Sequence, residues 1–201
     1  MKKIILVGAG GHAKSCLDII KSTKKYRILG FIDNDKSKTI DKYKVIGGDN
    51  YLKNIKNKKN INIAITIGQI KNYKKRNELF LKIKRLGFKI PKIVSRHALI
   101  SDKSSILTGT MIFHGVIINY GVKVGENSII NTSALIEHDT KIGSNTHIAT
   151  KATINGGVKI GSNTFIGSGS VIKEGVEIGD NCIIGMGSII KKDVKNNSLI
   201  K

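Results

Sequence analysis

Val158-Lys159-Ile160-Gly161-Ser162-Asn163-Thr164-Phe165-Ile166 has close copies at intervals of eighteen residues, in Val122–Ile130, Thr140–Ile148 and Val176–Ile184. Each copy contains a shorter period. From Ile100 to Ile190 every sixth residue is Ile, with Val124 the single exception, and sixteen positions follow one another without a slip. Two residues before these positions the side chain is small or β-branched, as at Ser104, Thr110, Val116, Val122, Ser128 and Ala134. A helix needs apolar residues three and four apart and a plain strand needs them two apart, so a strict six satisfies neither. It satisfies a parallel β-helix, in which each hexapeptide gives one short strand and a turn, and the aliphatics stack inside. Three hexapeptides then make one coil of a triangular prism. Residues eighteen apart stack in columns spaced by about 4.8 Å.

The columns define faces. Lys123, Lys141, Lys159, Glu177 and Lys195 are expected to form a solvated one. Met111, Ile129, His147, Phe165 and Ile183 form a second, and Leu135, Thr153, Val171 and Ile189 a third. By alternation the last two point outward, yet they are largely apolar, which a lone soluble chain rarely tolerates. Both are therefore expected to be buried against other copies of the chain, and a three-sided prism suggests a homotrimer.

The chain has 201 residues and a formal net charge of +21. Such basicity can signal nucleic acid, but Lys, Asn and Ile are abundant together, the basic residues read as scattered, and no aromatic platform interleaves them. An anionic small molecule is the better partner. Cys16 and Cys182 are isolated, with Cys182 at an inward repeat position, so neither a disulfide framework nor a thiolate metal site is implied. The apolar runs are too short for a membrane span, and the first residues lack the plan of a signal peptide, so a cytoplasmic protein is expected.

Ahead of the repeats the pattern is α/β. Lys3–Val7 reads as a buried strand, followed by Gly8-Ala9-Gly10-Gly11-His12-Ala13 and a helical pattern through Ile20. Gly8, Gly10 and Ala13 fit the G-x-G-x-x-A spacing of a βα nucleotide turn, where glycines permit the bend and a helix N-terminus meets a phosphate. Ile28–Ile32 reads as the next strand and ends in Asp33, where such folds place an acid against a ribose or base. Asn62–Ile67 reads as a strand ending at Gly68. Tyr73–Leu86 reads as an amphipathic helix with Gly87 as its stop. Lys89–Val94 closes the domain. A Rossmann-like nucleotide-binding unit over 1–94 and a β-helix over 95–201 are expected.

One turn of the β-helix breaks its own consensus. Within Asn131–Asp139, the segment Glu137-His138-Asp139 carries two carboxylates flanking a histidine, and one coil on the residues stacked over His138 and Asp139 are Gly156 and Gly157. A histidine beside an orienting acid, beneath positions without side chains, has what a general base requires. The competing reading is a surface histidine in a polar turn. His147 is the one polar member of its apolar column, either satisfied there or meeting a ligand held between subunits. Gly167, Gly169, Gly185 and Gly187 would leave a shallow groove along one face. His12 either helps hold a nucleotide or packs its helix, and His97 and His114 read as structural.

These residues resemble the bacterial sugar acetyltransferases that place a small Rossmann-like domain before a left-handed β-helix, among them UDP-4-amino-sugar N-acetyltransferases and sialic-acid O-acetyltransferases. The resemblance covers the whole chain, and rests on the Val7–His12 start, the isoleucine-led hexapeptides, Ile136-Glu137-His138-Asp139 and Thr146-His147-Ile148-Ala149. The left-handed sense comes from it alone, as does acetyl-CoA as donor, lying between adjacent subunits of a trimer. It implies His138 as general base and Asp139 as its orienting carboxylate. It implies His147 near the thioester carbonyl, Gly156 as a backbone donor to the acetyl oxygen, and Gly167 and Gly185 along the coenzyme groove. Asn131 would lie near the acceptor sugar, and Gly8, Gly10, Gly11, His12, Asp33 and Gly68 would line a nucleotide-sugar pocket. The family usually ends in a Gly-x-Pro-Ala-Lys-like tail that contacts coenzyme A, whereas this sequence has Asn197-Ser198-Leu199-Ile200-Lys201.

The expected activity is acetyl-CoA-dependent N-acetylation of a UDP-linked 4-amino sugar for a bacterial surface glycan. The alternative is O-acetylation of a sialic acid, which would leave the glycine turn and Asp33 nothing to bind. A β-helix carbonic anhydrase would need three histidines on zinc, and His138 and His147 lack a third, so no metal is expected. A non-catalytic solenoid would leave the His138 turn unexplained.

Overall fold

The computed structural model describes residues 1–70 and 72–201. Strand β1 (Lys2–Val7) is apolar on both faces, as an inner parallel strand should be. Helix α1 (Gly11–Ser22) returns the chain to β2 (Tyr26–Ile32), which lies parallel to β1. A short hairpin, β3 (Thr39–Ile40) and β4 (Tyr43–Gly47), extends the sheet beyond β2, and β5 (Ile61–Ile65) pairs with the other edge of β1, giving the order β3-β4-β2-β1-β5. The hairpin has no counterpart among the expected elements, because its short strands carry little periodic signal. Helix α2 (Lys74–Arg85) lies within the expected span, and Gly87, at φ +81°, is the stop.

From Ile93 onward two-residue strands stack into three parallel sheets of six, five and seven strands. Register is eighteen throughout the body, as in Leu135 opposite Ile117 and Thr153. The repeat isoleucines from 106 to 190 are buried, and so are small residues such as Ala134, Ala152 and Cys182. The fold is an α/β domain followed by a left-handed parallel β-helix. Lys89–Val94 is divided between the two parts: Lys89 bridges Asn62 of β5, while Ile93–Val94 pairs with Met111–Ile112 as the first rung.

The turns show why the consensus holds asparagine. Asn127, Asn145, Asn163 and Asn181 all adopt φ of 55–62°, in the left-handed region asparagine tolerates. Their amides form a ladder, with Asn127 Nδ2 donating to Asn145 Oδ1 at 2.9 Å and Asn145 Nδ2 to Asn163 Oδ1 at 3.2 Å. Stacked turns thereby satisfy one another's polar groups.

Three expectations need correction. Lys195 does not join the lysine column. The last coil is shorter, so Val194 bridges Ile178 and Leu199–Ile200 pairs with Ile183–Ile184 sixteen residues away. Second, Met111, Ile129 and His147 are buried within the one chain, at 1 %, 1 % and 4 % exposure. The α/β domain itself covers this part of the face, which column counting along the repeats could not show. Third, the basic residues are not scattered evenly, since 24 of 35 Lys and Arg precede residue 95. The Leu135 column, in contrast, carries an apolar stripe open to solvent: Leu99 is 69 % exposed, Val171 37 % and Ile189 66 %.

The two parts share one apolar core, in which Ile4, Leu6 and Phe31 of the sheet and Cys16 and Ile20 of α1 run into the β-helix interior. Arg76 of α2 crosses the same boundary and is completely buried. Its guanidinium donates to the carbonyls of Ile65 and Ile67 on one side, at 2.8 and 2.9 Å, and to those of Asn127 and Gly109 on the other. Hydrogen bonds from a charged donor are worth about 1.5–3 kcal/mol each when broken in a buried site. Arg76→Met should therefore lose at least about 3 kcal/mol of stability, read as a fall of about 6–12 °C in Tm for a chain of this size.

Candidate active site

Leu135–Ile136 ends at one edge of the prism, and the turn that follows presents His138 and Asp139. Asp139 takes φ +61° and His138 Nδ1 lies 3.0 Å from its Oδ2. Both side chains are well exposed, at 63 % and 68 %. With the Nδ1 hydrogen given to the carboxylate, the neutral ring keeps a lone pair on Nε2, beside the bare backbone of Gly156, the state a proton acceptor needs. The bare positions are required for this. A Cβ on Gly156 would fall 2.6 Å from His138 Nε2, and one on Gly121 would fall 2.6 Å from Asp139 Oδ1. Gly121 escaped the sequence reading, although its place one coil before Asp139 is a usable signal. Glu137 does not address the histidine and instead accepts from Asn119 Nδ2 at 2.8 Å.

The next group lies at the preceding edge. Asn131 Nδ2 stands 3.4 Å from His147 Nε2, and His147 Nδ1 bonds the carbonyl of Gln69 in the loop after β5. The His147 ring packs edge-on against Phe165 with centroids 5.2 Å apart. Burial, with Arg76 nearby, holds its pKa at about 4 against the lift from the Gln69 carbonyl. Within one protomer, therefore, Asn131 and His147 are together, while His138 and Asp139 are apart from them. At Gly167 the next coil lies close: a Cβ there would meet the Gly185 carbonyl carbon at 2.5 Å. Gly169 and Gly187 are the pair with open space.

A cleft of about 430 Å³ opens at the C-terminal ends of β1 and β2, with Gly8, Asp33, Lys38, Lys75 and Lys82 on its walls. Asp33 is well held. Its Oδ2 accepts from the Ala9 amide at 2.8 Å, and its Oδ1 from the Asp35 amide and from Lys38 Nζ. Burial alone would raise its carboxyl, and these three donors more than reverse that, leaving it below the ordinary range. Gly8, at φ +107°, lies so close to Ile67 that a Cβ would meet its Cγ2 at 2.3 Å. The rest of the glycine turn is distributed elsewhere: Gly10 and Gly11 face open space, and His12 turns toward the β-helix. There its ring lies 5.4 Å from Phe113 and against Gly68. His12 Nε2 is buried without a partner among the described residues, and burial, with Arg76 and His147 near, holds its pKa at about 4.

Among the described residues no three His, Cys, Asp or Glu side chains converge as a metal site would need, and no helix is long and apolar enough to cross a membrane.

A parallel β-helix of hexapeptides with a paired His138 and Asp139, joined to an α/β domain with an open cleft, is the architecture of the hexapeptide acyltransferases. Residues 3–83 match the family described as the PglD N-terminal domain, and 121–156, 139–174 and 157–192 match the bacterial transferase hexapeptide repeats. The chain belongs to the bacterial hexapeptide-repeat acetyltransferases with a PglD-type N-terminal domain. Among solved structures it is similar to PerB from Caulobacter crescentus in complex with CoA and GDP-perosamine, at 26 % identity and TM-score 0.90, covering 98 % of this chain and 92 % of that one. It shares its fold with the acetyltransferase domain of PglB from Neisseria gonorrhoeae, at 24 % identity and TM-score 0.93, covering 99 % and 96 %. WeeI from Acinetobacter baumannii also has this fold, at 23 % identity and TM-score 0.85, covering 98 % and 96 %.

Two outcomes test the geometry. Gly156→Ala should push the His138 ring off Asp139 with little change in Tm, because the ring is free to swing into solvent. Loss of a general base then lowers turnover by about 10²–10⁴-fold. Separately, His12 and His147 are held at about 4 in the fold against 6.5 for a free histidine. The unfolded chain binds more protons between those values, so stability is full above pH 6.5 and falls as pH drops toward 4. The expected loss is a few kcal/mol, measured as Tm from pH 7.5 to 4.5, and His12→Asn should shallow the slope.

Proposed function

We propose that the protein transfers the acetyl group of acetyl-CoA to the amine of a nucleotide-linked 4-amino sugar, UDP-linked in the first instance, for a bacterial surface glycan. The observation that carries this reading is the His138–Asp139 pair beneath Gly156, with Nε2 free to take a proton. The sugar amine attacks the thioester carbonyl carbon while His138 Nε2 accepts its proton. The tetrahedral oxyanion collapses, the carbon–sulfur bond breaks, and the coenzyme A thiolate takes the proton back from His138. The amide product forms without an acyl-enzyme. The Gly156 N–H has no backbone partner among the described residues and serves as a donor to the oxyanion.

Several features support the substrate class. The cleft at β1 and β2 sets Lys38, Lys75 and Lys82 among the carboxylates of Asp33, Asp49 and Glu78, with lysines for phosphates and a carboxylate, Asp33, placed for a ribose or base. The excess of basic residues before residue 95 helps steer an anion there. PerB, similar at 26 % identity, was solved with CoA and GDP-perosamine, so a guanine nucleotide belongs in the test. We place the reaction in a cytoplasmic homotrimer, in which the open apolar stripe at Leu99, Leu135 and Ile189 is covered by other copies. Assembly would also bring the His138 edge of one subunit against a different edge of its neighbour.

Thiol release from acetyl-CoA, measured with UDP- and GDP-linked 4-amino sugars and with free sialic acids, tests the reading. Turnover with an amino sugar, reduced by about 10²-fold or more in His138→Ala, is the expected result. Turnover with a sialic acid alone overturns the acceptor, and an unimpaired His138→Ala overturns the base.

A further inference from the structure

The α/β domain does more than bind: it reaches into the β-helix and grips His147. The loop after β5 lays Gln69 over the Thr146–His147 rung, and Gln69 is itself 3 % exposed. Two bonds hold this contact in opposite senses. Gln69 Nε2 donates to the carbonyl of Asn145, and the carbonyl of Gln69 faces His147 Nδ1.

A carbonyl oxygen only accepts, so Nδ1 must carry hydrogen. His147 is buried and neutral at pH 7, so Nε2 then has a lone pair and nothing to donate. It accepts from Asn131 Nδ2 at 3.4 Å. Asn131 Oδ1 is in turn occupied, accepting from the Thr132 amide at 2.8 Å and the Thr132 hydroxyl at 3.3 Å. Of the two hydrogens on Asn131 Nδ2, one goes to His147 Nε2 and the second is unused. Asn131 is only partly buried, so that hydrogen is available to a ligand.

We propose that Gln69 is a positioning residue: it locks His147 as the Nδ1–H tautomer and through it orients Asn131, whose remaining amide hydrogen is presented to the acceptor sugar. His147 thereby has no hydrogen for a thioester carbonyl, and its service is to fix Asn131. The loop bearing Gln69 follows Gly68 directly, so the domain that takes the nucleotide also sets the donor geometry on the β-helix. The assignment to the acceptor rests on the acetyl-transfer reading above, whereas the tautomer does not.

The experiment therefore has two arms. In the first, ¹⁵N NMR of histidine-labelled protein without substrates reads the tautomer of His147, assigned through His147→Asn. The expected wild-type signal is protonated Nδ1 and unprotonated Nε2 at pH 7. Gln69→Ala and Gln69→Glu, which lose the anchor on Asn145, should shift His147 toward mixed tautomers. In the second arm, the same variants and Asn131→Ala are assayed with the working acceptor. Orienting contacts of this kind are worth about 10–100-fold. A loss of that size in kcat/KM for the acceptor is expected, with KM for acetyl-CoA unchanged. Protonated Nε2 in the wild type overturns the proposal whether or not the variants fold. Unshifted tautomers in folded Gln69 variants, or acceptor kinetics like the wild type's, overturn it too. Absence of turnover by the wild type on every acceptor, with the Nδ1–H tautomer present, would strike the acetyl-transfer reading and leave the lock standing.

Discussion

In the body of the β-helix each strand pairs with strands eighteen residues away on either side, and the rest of the molecule depends on that register. Strands of two residues have no stability of their own and exist only because neighbours above and below complete their ladders. A register fixed at eighteen puts every side chain in a column, and the column sets its neighbours. Isoleucines meet isoleucines inside, and asparagines meet asparagines at the turns. The same constraint makes the active-site turn possible, because a substitution in one coil is felt by the coils on either side. His138 has room because Gly156 stands one coil above, and Asp139 has room because Gly121 stands one coil below.

The second constraint is the seam between domains. The α1 side of the sheet shares its apolar core with the β-helix, and Arg76 joins four carbonyls across the boundary without a carboxylate. A buried charge held by dipoles alone tolerates little relative movement, since each bond is lost steeply with distance. The seam therefore fixes where the loop after β5 falls, and with it the contact between Gln69 and His147. The cleft at β1 and β2 and the β-helix are joined by a shared core and by Arg76 rather than by a tether.

Much of this is visible in the chain. The sixfold period leads to the β-helix, and the eighteenfold period to the placement of Gly156 over His138. The spacing of Gly8 and Asp33 leads to one cleft wall. The other glycine-turn residues were less legible. Gly10, Gly11 and His12 follow Gly8 in the usual nucleotide turn, and Gly68 enters only through the family resemblance, but spacing carries no information on a second domain lying against the turn. His12 in fact faces Phe113, a residue about one hundred positions away. The Met111–His147 column has the same lesson, since its apolar face reads as an interface between copies and is in large part covered by its own chain.

By itself, then, the sequence determined what depends on local period: the β-helix, its columns, the placing of His138 and Asp139 under bare positions, and the turn glycines. Those features follow from neighbours at fixed sequence distance, which a repeat writes directly into the chain. The tertiary structure alone decided the covering of His147, the burial of Arg76, the tautomer imposed by Gln69 and the closing of the last coil at sixteen residues. Each arises where segments without a common period meet, and there only packing in space sets the partner.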